Sequence, residues 1–65
     1  MLDQYPMIVE TTDNHLYAVK NHADYPQAWV GVEVKLAKGG VYVPKARTRL
    51  QLVRKEGSRV IQIRL

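Results

Sequence analysis

Cysteine is absent from this 65-residue sequence, which excludes disulfide staples and every thiolate metal site together. A chain of that length makes a single domain, residues 1–65. It buries only about 60% of the surface its unfolded form would expose, so stability must come from a well-packed core, from self-association, or from both. Long apolar runs are missing as well. The apolar stretch Ala28 to Val32 is far too short to span a bilayer. The start, Met-Leu-Asp-Gln-Tyr-Pro, has neither a basic n-region nor an apolar segment of signal-peptide length. The expectation is a cytoplasmic chain with no membrane contact, and the lack of cysteine agrees with a reducing compartment.

Motifs that carry chemistry are equally scarce. Ser58 is the only serine, and it falls in a turn with no histidine near it in sequence. Gly39-Gly40 precedes a strand pattern rather than a helix, so it makes no phosphate cradle. Asp13, His15, His22 and Asp24 are of metal-ligating types, but no short-spaced ligand pair sits on one element. The expectation is a non-enzymatic protein without cofactor or metal.

Acidic residues are nearly missing from the second half. Residues 35–65 hold Lys35, Lys38, Lys45, Arg47, Arg49, Arg54, Lys55, Arg59 and Arg64 against Glu56 alone, a net of +8. Residues 1–34 hold Asp3, Glu10, Asp13, Asp24 and Glu33 against Lys20 alone, a net of −4. The whole chain carries +4 with a pI near 9.7, and its 46% apolar content argues for a packed core rather than disorder.

What the sequence does contain is strand-forming material. Nine valines, three isoleucines and four tyrosines fall in short runs broken by turn residues. Met7 to Thr11 and His15 to Lys20 flank Thr12-Asp13-Asn14. A type I turn there, with Asn14 left-handed, sets Val9 opposite Tyr17 and Met7 opposite Val19. A second hairpin runs from Ala28 to Val43. A two-residue turn at Gly39-Gly40 places Leu36 opposite Val43, Pro44 closes the strand, and Gly31 marks a sharp bend. Asn21 to Gln27 reads as the longest loop, with room for one helical turn.

The last hairpin has the cleanest alternation, Thr48-Leu50-Leu52 against Ile61-Ile63-Leu65 around Lys55-Glu56-Gly57-Ser58. An even loop pairs Leu52 with Ile61, Leu50 with Ile63, Thr48 with Leu65, Arg49 with Arg64, Gln51 with Gln62 and Val53 with Val60. One face is then apolar and the other polar. Three successive hairpins describe an all-β fold, a small antiparallel sheet of five to six strands. It is expected to be an SH3-like barrel or a strongly curled sheet.

On that register Arg49, Lys55 and Arg64 share the solvent side, with Arg47 and Lys45 just upstream. Arg49 opposite Arg64 is the telling pair, because like charges across a ladder destabilise it unless an anion neutralises them. Tyr42, pointing away from Val41 and Val43, is a candidate platform for stacked bases. Trp29, Tyr5, Tyr17 and Tyr25 read as parts of the core. The function expected is nucleic-acid or other polyanion binding, with RNA or single-stranded DNA favoured because no helix is present to enter a major groove. Lys45, Arg47, Arg49, Lys55 and Arg64 are the expected phosphate contacts. The alternative is a protein-interaction or accessory subunit that self-associates through its oppositely charged halves.

Overall fold

The Thr12-Asp13-Asn14 turn forms as its local chemistry dictates. In the computed structural model, which describes residues 2–63, Asn14 takes a φ of 67° and its N–H donates to the Thr11 carbonyl at 3.0 Å. The Thr11 hydroxyl donates to the Asp13 carboxylate. The turn joins β1, Met7–Thr11, to β2, Leu16–Asn21, with Met7 opposite Val19 and Val9 opposite Tyr17. A short 3₁₀ turn, Leu2–Gln4, precedes β1. The helical turn therefore lies at the N-terminal side, and none forms in the loop before Ala28.

The long third strand, β3 (Ala28–Leu36), lies against β2 over its middle six residues. Its other edge is shared. β4, Tyr42–Pro44, covers the far end, and β5, Gln51–Arg54, covers the near end. In effect β4 and β5 are one edge strand interrupted by a six-residue excursion, Lys45 to Leu50. The excursion is stitched to β3 at Glu33. The Glu33 carbonyl accepts from the Lys45 N–H at 3.1 Å, and the Glu33 N–H donates to the Thr48 hydroxyl at 3.1 Å. That hydroxyl stands in for the backbone acceptor that an unbroken ladder would supply.

The final strand, β6 (Ser58–Ile63), pairs with β1 and bulges at Ile61, so the strand order is β4-β3-β2-β1-β6 with β5 also on β3. β5 and β6 are thus on opposite margins of the sheet. Laid flat, those margins would be roughly 19 Å apart. Yet they are joined by Lys55, Glu56 and Gly57 alone, with the Ser58 N–H on the Lys55 carbonyl at 3.1 Å and the Thr12 N–H on the Gly57 carbonyl at 3.0 Å. The sheet must curl to bring them together at that end. It does not close, because no ladder joins β5 to β6. Of the two expected architectures, the curled sheet is the one formed.

Gly31 is where β3 leaves no room for a side chain against β2. A Cβ at that position would sit 2.7 Å from Val19 Cα and closer still to the Ala18 carbonyl oxygen, so no other residue fits without moving β2. Apolar side chains pack on both faces of the sheet. Tyr5, Ile8, Ala18 and Val34 form one cluster, with Leu2, Leu16, Val32 and Tyr42 against it. Val9, Val19, Trp29 and Val53 form the other, with Met7 and Tyr17 beside them. Trp29 and Tyr5 are core residues as expected, whereas Tyr25 is exposed.

Two expected registers are corrected. The final hairpin does not pair with itself. Arg54 and Ser58 are linked by a tight turn, after which β5 makes a four-residue ladder with β3 and β6 a five-residue ladder with β1. Leu52 is therefore opposite Val30 instead of Ile61, and Val53 is opposite Trp29 instead of Val60. The faces exchange accordingly, with Val53 only 4% exposed and Leu52 57%. Leu50, Ile61 and Ile63 are also exposed, and residues 48–50 are loop rather than strand. The pairings drawn to Arg64 and Leu65 lie outside the described residues.

The second correction concerns the Gly39-Gly40 turn. Ala37 N–H donates to the Val41 carbonyl at 2.6 Å and Gly40 N–H to the Ala37 carbonyl at 3.1 Å, so the loop holds three residues and Leu36 faces Tyr42, not Val43. That slip of one position turns Tyr42 toward Val34 and the first cluster.

Candidate functional site

The excursion between β4 and β5 gathers positive charge because it leaves the ladder. Its turn is held by the Thr48 N–H on the Lys45 carbonyl at 3.2 Å, and Arg47 at its tip takes a φ of 65°. Lys45, Arg47, Thr48, Arg49 and Gln51 line a groove of about 450 Å³ above Glu33. Two other clefts, of about 350 and 360 Å³, flank the turn at Gly57. Their charged residues are of both signs, Glu10 with Arg59 in one and Asp13, Arg54 and Glu56 in the other. Of these three, the Lys45–Gln51 groove is the one that concentrates cations.

Glu33 is the hub beneath that groove. One of its carboxylate oxygens, Oε2, accepts from Lys45 Nζ at 3.0 Å and from His15 Nδ1 at 2.7 Å. These bonds, the Lys45 contact foremost, hold the Glu33 carboxyl below the usual carboxylate range. A carboxylate can only accept, so the proton of a neutral His15 ring resides on Nδ1. The His15 ring stacks on Tyr17, centroids 6.5 Å apart. Burial, with the Glu33 charge adding to it, pushes the Tyr17 phenol up. His22 is elsewhere, accepting the Asp24 N–H at 3.0 Å and tilting against Tyr25. Among the described residues, no group of three His, Asp or Glu side chains has metal-binding geometry.

The expected phosphate contacts are therefore divided. Lys45, Arg47 and Arg49 meet at the groove, but Lys45 is largely neutralised by Glu33. Lys55 lies at the other end of β5, roughly 15 Å away along the strand, with its ammonium 5.6 Å from the Trp29 ring centre. Arg64 falls outside the described residues. Tyr42 is half-buried against the core cluster rather than standing free.

Two residues at the Lys55 end escaped the sequence reading. Arg54, which by alternation shared the apolar face of Leu50 and Leu52 in the expected hairpin, is exposed, and Tyr25, 46% exposed, precedes Ala28, the cross-strand neighbour of Arg54. Both depend on which strand β5 pairs with, a fact no local pattern carries.

Only two ion pairs between described residues link the oppositely charged halves, Lys45–Glu33 and Arg59–Glu10, each at 3.0 Å. Arg47, Arg49, Arg54 and Lys55 have no carboxylate within ion-pair distance among the described residues. The three guanidinium groups among them can take a phosphate through two parallel N–H bonds, and Lys55 can meet one as a point charge. No described helix is long and apolar enough to cross a membrane. Comparison with family models, with characterised proteins and with solved structures returns no match to this chain.

Proposed function

We propose that the chain is a non-enzymatic cytoplasmic module that binds single-stranded nucleic acid, RNA or DNA, along the free margin of β5. Arg47 and Arg49 grip the backbone at the groove end, and Arg54 and Lys55 grip it at the turn end. The observation that carries this reading is that these four cations flank one short edge strand and lack carboxylate partners among the described residues. A single strand suits such a site better than a duplex, because the margin is narrow, no helix projects from it, and exposed Tyr25 lies at one end for a base to stack on. Lys45, held by Glu33, contributes to the field of the groove more than to direct contact.

Anisotropy titration of a labelled single-stranded oligonucleotide at rising salt tests the proposal. Four neutralised phosphates on a single strand give a slope of log affinity against log salt of about −3, or roughly a 50-fold loss between 50 and 200 mM. No binding of RNA or DNA at low salt refutes it.

A further inference from the structure

An open sheet exposes edge strands, and this one guards them unequally. β4 has three residues and ends in Pro44, which cannot donate to a ladder. β5 has four and is bracketed by Arg49, Arg54 and Lys55. Short length, proline and charge are the usual protections against edge pairing. β6 is six residues long, contains no proline, and has no buried residue. Its one cation, Arg59, is neutralised within the chain by Glu10 at 3.0 Å. Among the described residues, the bulge at Ile61 is the one protective device on it, and it falls inside the aliphatic run rather than replacing it.

The geometry points to β6 pairing antiparallel with β6 of a second copy of this chain, across a two-fold axis. Self-complementarity favours that occupant. Every register that pairs at least four residues within Ser58–Ile63 keeps Arg59 from lying directly opposite the second copy's Arg59, so within the described strand no like charges meet face to face. An acidic partner would be drawn to the β5 margin instead. Val60 and Ile61 are 40% exposed and Ile63 64%, leaving on the order of 250 Å² of aliphatic surface in water, a little under the largest apolar patch of a typical monomer. Each partner in the smallest stable interfaces contributes roughly 600 Å². The backbone ladder and flanking polar side chains supply the remainder, which makes the dimer concentration-dependent rather than obligate. It also provides the self-association that a chain without cysteine has left as a staple.

Sedimentation equilibrium of the full chain, without nucleic acid, reads this directly. The mass should rise from 7.5 kDa toward twice that value across the micromolar range. Ile61→Lys and Ile63→Lys, both at exposed positions, should weaken the dimer about tenfold or more. Leu50→Lys, on the opposite margin, should leave it unchanged. Backbone amides of β6 should gain hydrogen-exchange protection with concentration. A single 7.5-kDa species throughout, or a dimer that both lysine substitutions on β6 leave intact, overturns the proposal. So does a dimer that salt or Leu50→Lys dissociates, since that outcome means the charged halves make the contact.

Discussion

Replacing Gly31 with alanine is the severest single-methyl test of the fold. The added Cβ would lie 2.7 Å from Val19 Cα and 2.8 Å from the Ala18 carbonyl carbon, both backbone atoms of the neighbouring strand. Relief requires β2 and β3 to separate by on the order of 1 Å, since carbon atoms settle at about 3.5–4.0 Å. β2 has nowhere to go, because Ala18 and Val19 are fully buried in opposite clusters. Overpacking of this kind costs about 1–3 kcal/mol, and one or two stretched ladder bonds add about 1 kcal/mol each. A 65-residue domain has roughly 3–10 kcal/mol in all, so Gly31→Ala should give up about 2–5 kcal/mol, on the order of half of it. Trp29, the only tryptophan and a core residue, reports the transition by fluorescence in a urea titration. Gly39→Ala is the matched control, with a φ of 89° and open space around the new methyl. It should cost only the left-handed backbone penalty of about 1–2 kcal/mol. If Gly31→Ala unfolds within about 1 kcal/mol of the parent chain, β3 does not lie as close to β2 as described.

Three further outcomes follow from the geometry. Val53→Ala should cost about 2 kcal/mol by urea melt and Leu52→Ala under about 0.5; the reverse order would restore the self-paired final hairpin. Because the folded-state Glu33 pKa is lowered, its contribution is fully present above the ordinary value near 4.5 and is lost as pH falls through the depressed one. Glu33→Gln should therefore destabilise by about 1 kcal/mol at neutral pH and flatten the acid limb of the stability profile, and an unchanged acid limb would remove Glu33 from the account. Arg47→Ala and Arg49→Ala should each make the salt slope shallower by about 0.7 without changing sequence preference. A change in preference with an unchanged slope would mean that these side chains read bases rather than phosphates.

What the sequence revealed depended on how far each signal reaches. The first hairpin was legible because Thr12, Asp13 and Asn14 fix their own turn, and register follows from the turn. A glycine amid valines drew notice at Gly31, but what requires it is the nearness of the β2 backbone, a contact across strands that the expected bend does not describe. The final hairpin misled because alternation reports that a strand has an apolar side, not which neighbour it takes. β5 and β6 each found a ladder elsewhere, and Leu50, Leu52, Ile61 and Ile63 were left facing water. Gly39-Gly40 supports loops of either length, and the one-residue difference decided where Tyr42 points. At the site, Arg47 and Arg49 could be found together because they are neighbours in sequence. The tie between Lys45 and Glu33 spans 12 positions and depends on β3 and β4 lying side by side.

The gap in the β4–β5 edge has an evolutionary consequence. Both ends of the excursion are anchored to β3, so the six residues between them can vary in length without disturbing the strands. Doubling such a loop costs only about 0.6 kcal/mol in closure entropy. Thr48 is the constraint, since its hydroxyl satisfies Glu33. A descendant of this scaffold could exchange the rest of that segment for another and acquire a new ligand while inheriting the framework unchanged.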